Sequence, residues 1–259
     1  MSVIDSFRID GKVALVSGGA GLYGKQIVEA LAEAGAKVYV ASRDKAALDR
    51  CVVGWRNLGH DVTAESLDQA SPESIAALAQ NIANQTGGVD ILVNNAVARP
   101  AKDWSCTGEA FAESMRVNAT GVFLMTRTFG EQMAERGSGS IINIGSIQGM
   151  VGPDFTLYEG LGMSAPPDYF FHKAGMVNLG RYAAAQLGPS GIRVNTISPG
   201  GLDAGGGDPR FIERYAQRTF LGRMGNNTDL KGAVVFLASD ASIYITGANI
   251  PIDGGYTAK

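Results

Sequence analysis

Tyr169 and Lys173 stand four residues apart in the run Asp168-Tyr-Phe-Phe-His-Lys173. At the start of a helix, that spacing stacks the two side chains on one face. An ammonium beside a phenol stabilises the phenolate. Proton exchange then comes nearer neutral pH than the pKa of about 10 of a free phenol allows. Such a pair can give a proton to a substrate oxygen or take one from it. The spacing alone is common on protein surfaces. Its meaning rests on what the remaining chain brings to that helix start.

A second stretch able to bind a ligand is Gly18-Gly19-Ala20-Gly21-Leu22-Tyr23-Gly24. Glycines at 18, 21 and 24 let backbone N–H groups approach a pyrophosphate at the positive end of the next helix. The apolar run 12–17 before it reads as a buried strand. Residues 25–34 after it have helical spacing, Gly35 ends that helix, and 36–41 read as a second strand. In this βαβ setting the turn is a dinucleotide-binding fingerprint rather than a tight turn alone.

The second strand ends in Ser42 and Arg43, not in the carboxylate that holds the ribose 2′-hydroxyl of NAD. Hydrogen-bond donors and a positive charge suit a 2′-phosphate, so NADP is favoured over NAD. A surface pair between Arg43 and Asp44 would remove that argument. Asp68, at the expected end of the third strand, can accept a bond from the adenine amine or cap a loop.

These residues need elements to position them. Residues 44–58 read as helix and 60–67 as strand. Ser71-Pro72-Glu73 opens a helix to about 86, with a Ser cap, Pro at the first position and acid in the first turn. Strand 89–94, a long helix 107–136 and strand 140–145 follow. Helix 168–187 stops at Gly188-Pro189 and leads to strand 192–198. Helices 209–220 and 228–238 precede a last strand, 248–252. The expected fold is α/β: a single Rossmann-like, doubly wound domain over 1–259, with a seven-stranded parallel sheet and helices on both faces. Ligands bind such sheets outside the C-terminal strand ends, where 17–24, Asn94, Ser146 and 198–201 should converge.

Composition narrows the partners. Hydrophobic residues make up 45% and charged residues 18%, as in a well-cored globular protein. A net charge of −3 without a basic run argues against nucleic acid and against an electrostatic membrane anchor. Cys51 and Cys106 form no metal or redox spacing, so no metal is expected. The N-terminal residues lack a signal-peptide profile, and no apolar run reaches membrane-span length. The expectation is a soluble, cytoplasmic protein with a small-molecule substrate.

The glycine turn, Asn94-Asn95-Ala96, Asn118, Ser146, Tyr169 with Lys173, Pro199-Gly200 and Asp253-Gly254-Gly255 stand in a recognisable order. With them the chain resembles the classical short-chain dehydrogenase/reductases over essentially its whole length. The resemblance implies that Tyr169 is the general acid/base. It implies that Lys173 lowers the tyrosine pKa and bonds the nicotinamide ribose, and that Ser146 holds the substrate oxygen. Asn118 would hold a water that relays protons from Lys173 to solvent. Asn94 and Ala96 would shape the cofactor pocket and brace the sheet. The implied cofactor set is Gly18, Gly21, Leu22, Tyr23, Gly24, Ser42, Arg43, Asp68, Asn95, Ala96, Tyr169, Lys173, Pro199, Gly200 and Leu202. A homo-oligomer, tetramer or dimer, would pair the helix 168–187 and the long helix with their copies.

The chain departs from the family pattern in four places. The glycine spacing is closer to that of the family's extended branch. Val97 stands where a Gly is usual. No Thr follows Pro199-Gly200 before Thr219, so the nicotinamide amide must be held by the backbone around 197–202. Gly205-Gly206-Gly207 suggests a mobile lid over about 201–222. Fourth, Ser146 and Tyr169 are 23 residues apart, and Tyr158, only 12 after Ser146, competes for the chemical role. Four residues past Tyr158 stands Gly162, not Lys, so the chemistry goes to Tyr169 and 149–167 reads as an insertion. Tyr158, Glu159 and Met163 are the candidate substrate contacts and suit a sugar or polyol. The expected activity is NAD(P)-dependent hydride transfer on a secondary alcohol or ketone. Two alternatives stay open: a 3-oxoacyl thioester reductase, and a catalytically inactive dinucleotide-binding regulator.

Overall fold

The continuous apolar runs of the sequence form the strands of one parallel sheet, as expected when helices cover both faces. The computed structural model describes residues 2–258, so the expected span of 1–259 exceeds it by one residue at each end. The first half runs β1 (Val13–Ser17), α1 (Leu22–Glu33), β2 (Lys37–Ser42), α2 (Lys45–Asn57), β3 (Val62–Ser66), α3 (Pro72–Thr86) and β4 (Ile91–Asn94). Then come α4 (Gly108–Met115), α5 (Gly121–Arg136), β5 (Gly139–Ile144), α6 (Pro167–Leu187) and β6 (Ile192–Pro199). The chain closes with α7 (Pro209–Ala216), α8 (Lys231–Ala238) and β7 (Asn249–Ile252). The strand order is β3-β2-β1-β4-β5-β6-β7. The winding direction reverses between β1 and β4, which opens a crevice at their C-terminal ends.

Side chains alternate across the sheet with period two. Ala14, Val16, Val38 and Val40 face α1, α2 and α8 through Ile27, Leu31, Trp55, Val234 and Leu237. Leu15, Tyr39, Leu92 and Ile141 face α3, α5 and α6 through Leu78, Ile82, Phe129, Met133 and Ala183. A third, smaller cluster of Ile147, Leu157, Tyr215 and Met224 lies at the C-terminal end of the sheet.

The expected long helix 107–136 is interrupted. Arg116–Thr120 forms a π turn between α4 and α5. The side chain of Gln69 donates to the Val117 carbonyl at 3.0 Å, and Gly121 lies directly against the Gln69 backbone. A side-chain donor inserted into the helix ladder widens it there, and π turns of this kind occur mostly at functional sites. Two other helices are shorter than expected. In α7 the Thr219 hydroxyl donates to Ala216 O and accepts from Arg223 N, which stops the helix at Ala216. Ahead of α8, Asn226 accepts from Thr228 N and holds a turn, so the helix starts at Lys231. Ser71 caps α3 as its sequence suggests, accepting from Ser74 N at 3.1 Å. Among the described residues, no helix is long and apolar enough to cross a membrane.

Candidate active site

The crevice is a cleft of about 680 Å³ along the C-terminal ends of the strands. That size suits a cofactor-sized ligand. Its first wall is the turn from β1 into α1. Gly18 has φ +69°, and a Cβ there would lie 2.8 Å from the Cα of Ala96. Only glycine takes that backbone conformation without strain at so close an approach. Asn95 locks the turn from the β4 side, donating through Nδ2 to Ser17 O at 3.0 Å and Gly18 O at 2.9 Å. Ser17 Oγ in turn accepts from the N–H groups of Asn95 and Ala96. The phenol of Tyr23 donates to Gly200 O at 2.6 Å, which ties the turn to the loop after β6. Gly24 lies outside the cleft. It is needed because any side chain there would run into the Gly18 carbonyl, so it sets the close packing of α1 on the turn.

Arg43 lines the far end of the cleft and is exposed. The surface pair with Asp44 does not form. The Asp44 carboxylate accepts from Ala47 N at 2.8 Å and caps α2 instead. Asp68 also lines this end. One carboxylate oxygen accepts from Ala70 N at 3.0 Å in a loop turn, while the other has no hydrogen-bond partner among the described residues. Ser42 donates to Asp44 O at 3.2 Å.

At the other end of the cleft, α6 begins with Pro167, and one face of its first turns carries Tyr169 and Lys173. Lys173 is 3% exposed, and its Nζ donates to Ile144 O at the end of β5 at 2.5 Å. Burial pushes its pKa down to about 7, and the charge of Arg99 adds to the effect. Its Nζ stands 5.6 Å from the centre of the Tyr169 ring. Arg99, in the loop after β4, places its guanidinium 5.0 Å from the same ring. His172 meets Tyr169 edge to face at 5.1 Å. Burial first, then Lys173 and Arg99, push the His172 pKa down to about 3, which keeps it neutral.

Ser146 follows β5 and accepts from Gln148 N at 3.1 Å, starting a short 3-10 turn. Its hydroxyl hydrogen is free to turn into the cleft. Asn118 sits on the π turn and does not line the cleft. Both of its side-chain donors are used: Nδ2 donates to Ala98 O at 2.8 Å and Ser114 Oγ at 3.0 Å, while Oδ1 accepts from Ala98 N at 2.8 Å. Asn118 therefore anchors the loop that carries Arg99. Its side chain has no donor left for a relay water. Asn94 also lies outside the cleft. It bonds Thr126 and Asn143 and braces the sheet.

The outer wall comes from residues 149–167 and from α7. Tyr158 and Met163 line the cleft with Phe211 and Tyr215, and Tyr158 packs on Phe211 at 5.6 Å. Burial pushes the Tyr158 phenol above its ordinary pKa. The two cations of this end, Arg99 and Lys173, stand over Tyr169 instead. Glu159 corrects the sequence reading: its side chain is exposed and does not line the cleft. The Arg214 guanidinium holds its backbone carbonyl at 2.7 Å, and Tyr158 takes the inward position. Arg214 and Arg218 fasten α7 to this segment, Arg218 through Asp154 at 2.9 Å and Thr156 at 2.7 Å.

The cleft thus gathers Gly18, Gly21, Leu22, Tyr23, Ser42, Arg43, Asp68, Asn95, Ala96, Ser146, Tyr169, Lys173, Pro199, Gly200 and Leu202. Arg99, Gln148, Phe211 and Tyr215 were not anticipated. No spacing in the sequence marks them, because they reach the cleft from loops and from α7. Among the described residues, no cluster of three or more His, Cys, Asp or Glu could hold a metal ion.

Comparison with known proteins places this cleft in context. A family model described as enoyl-(acyl carrier protein) reductase matches residues 21–257. Galactitol 2-dehydrogenase (L-tagatose-forming) of Cereibacter sphaeroides is 34% identical over 260 residues, covering 97% of each chain. A short-chain type dehydrogenase/reductase from Mycobacterium marinum superposes with a TM-score of 0.89 at 33% identity, covering 100% of both chains. A gluconate 5-dehydrogenase from Burkholderia cenocepacia J2315, in complex with NADP and tartrate, superposes with a TM-score of 0.88 at 29% identity, again over 100% of both chains.

Proposed function

This chain belongs to the classical short-chain dehydrogenase/reductase family, and from that premise we propose how its cleft residues divide the work. The chain is an NAD(P)-dependent oxidoreductase acting on CH–OH and C=O groups of a small molecule. Bound NAD(P) supplies or accepts the hydride at nicotinamide C4. Tyr169 exchanges the matching proton with the substrate oxygen. Ser146 donates a hydrogen bond to that oxygen as charge develops on it. Lys173 stands beside the phenol and would hold the nicotinamide ribose. The observation that carries this reading is the buried Lys173, fixed to the end of β5 and held over the Tyr169 ring in the cleft that the glycine turn opens. Asn118 acts through the loop it anchors.

NADP is the favoured cofactor. Arg43 lines the ribose end and is not paired with Asp44, which is occupied as a helix cap. Backbone groups around 197–202 would hold the nicotinamide amide. The substrate is a polyol or sugar, as for the galactitol relative, and Gln148 and Tyr158 offer polar groups to its hydroxyls. The segment 201–222 works as a lid, with Gly205 and Gly206 at φ +86° and +81° as its hinge. Along α4 and α5 the arginines an acyl carrier would meet make no cluster: Arg116 is paired with Glu113, and Arg127 lies over Phe123. Exposed Phe171 and Tyr182 on α6, with Phe123 on α5, suit burial between copies in a dimer or tetramer. The two free cysteines suit a cytoplasmic setting.

The test is absorbance at the reduced-nicotinamide band with galactitol, gluconate and related polyols. NADP-linked turnover is expected, with kcat/KM for NAD roughly tenfold lower or less. Cofactor binding without turnover across the panel would sink the enzyme reading.

A further inference from the structure

Four charged residues line the cleft: Arg43, Asp68, Arg99 and Lys173. Arg43 and Asp68 follow β2 and β3, on the far side of the switch point. Lys173 is buried and bonded to Ile144 O. Arg99 is therefore the accessible charge at the reacting end. It makes no side-chain hydrogen bond or ion pair among the described residues; its guanidinium lies over the Tyr169 ring, 5.0 Å from the ring centre. No carboxylate lines this half of the cleft: Glu159 in the outer wall faces solvent, and Asp168, next to Tyr169, is buried outside the lining.

A guanidinium lying over an aromatic ring still has N–H donors to offer, and their fork matches the two oxygens of a carboxylate. The loop that carries Arg99 is held by Asn118 through Ala98, and its guanidinium lies over the Tyr169 ring. Two cations over one ring also repel each other, as the depression of Lys173 by Arg99 reflects. An anion at Arg99 relieves that repulsion. A phosphate dianion would call for more cations or N–H donors than this half of the cleft offers.

We propose that Arg99 is a substrate-anion subsite, and that the preferred substrate is a hydroxylated carboxylate, an aldonate or aldarate, whose carboxyl group lies a few bonds from the reacting carbon. This rests on the polyol reading above and narrows it. Arg99 reads the charge while Tyr169 exchanges the proton, so it is a specificity-determining residue.

The test is calorimetric titration of the NADP-loaded protein with matched pairs: gluconate against sorbitol, tartrate against threitol, and sorbitol 6-phosphate as a phosphate probe. In the unmodified protein, at least one carboxylate binds tenfold or more tightly than its neutral partner. Arg99→Gln brings that carboxylate down to its neutral partner's affinity, leaves the neutral ligand within about twofold, and leaves NADP binding unchanged. Arg99→Lys keeps part of the preference. No preference in any pair, an equal loss for charged and neutral ligands, or tighter binding of the phosphate overturns the proposal. Turnover is read separately. Carboxylate binding without turnover would sink the enzymatic reading and keep the subsite, while turnover of neutral polyols without carboxylate preference would do the reverse.

Discussion

The two ends of the cleft are built in different ways. The cofactor end is mainly backbone: a glycine turn with no room for a Cβ at Gly18, clamped by Asn95 and Ser17. The substrate end is mainly side chains, which arrive from the loop after β4, the turn after β5, residues 149–167 and α7. A backbone cradle depends on local conformation, so small changes should break it outright. A wall of side chains from distant segments can be altered piece by piece, so single changes there should shift affinity or preference and spare the cradle.

Lys173 stands where the two ends meet, and its removal should have the largest effect. Its folded pKa is lowered to about 7 from 10.5. Between those values the folded chain holds fewer protons than the unfolded chain, so its stability rises with pH across that window. Below pH 7 the burial cost is fully present; above 10.5 it is gone. Lys173→Met should therefore stabilise the cofactor-free protein, by on the order of a few kcal/mol near pH 6. The gap should close toward pH 10 in denaturant titrations. A gap that ignores pH would show that Lys173 is not held as described.

Gly18→Ala comes next. The left-handed backbone at φ +69° costs a side chain about 1–2 kcal/mol, and the new methyl would also press on Ala96. NADP binding, followed by fluorescence, should weaken by about 30-fold or more. Normal binding would remove the contrast between the two ends. Arg43→Ala should raise the KM for NADP by about tenfold and leave that for NAD within twofold, because only the phosphate contact is lost. An unchanged NADP value would refute the 2′-phosphate argument. Arg214→Ala frees α7 from the carbonyls of Thr156, Leu157 and Glu159. It should raise the substrate KM by about three- to fivefold without changing cofactor affinity, as expected for lost net hydrogen bonds. An effect on the cofactor would mean that the outer wall also shapes the cradle.

The same contrast explains what the sequence made legible. Strand runs, the glycine turn, the Ser71 cap and the Tyr169–Lys173 spacing are local patterns, and the fold and the cofactor end follow from them. The π turn at 116–120 was not legible, because its cause is Gln69, which is distant in sequence. Glu159 was misplaced for a similar reason: its orientation depends on Arg214, 55 residues away. Arg99 and Phe211 carry no motif, and only their convergence on Tyr169 and Tyr158 gives them meaning. Asn118 stands in the expected motif order, yet its side chain serves the loop after β4 rather than the cleft.

The central claim is that Tyr169 exchanges the proton, although Tyr158 lies closer to Ser146 in sequence. The most direct measurement is kcat and NADP affinity side by side for Tyr169→Phe and Tyr158→Phe. Tyr169→Phe should lower kcat by about 10²- to 10⁴-fold, the usual worth of a general acid/base, with NADP affinity nearly unchanged. Tyr158→Phe should keep kcat within a fewfold and alter only substrate KM. A collapse of kcat in Tyr158→Phe, with Tyr169→Phe still active, would contradict the account.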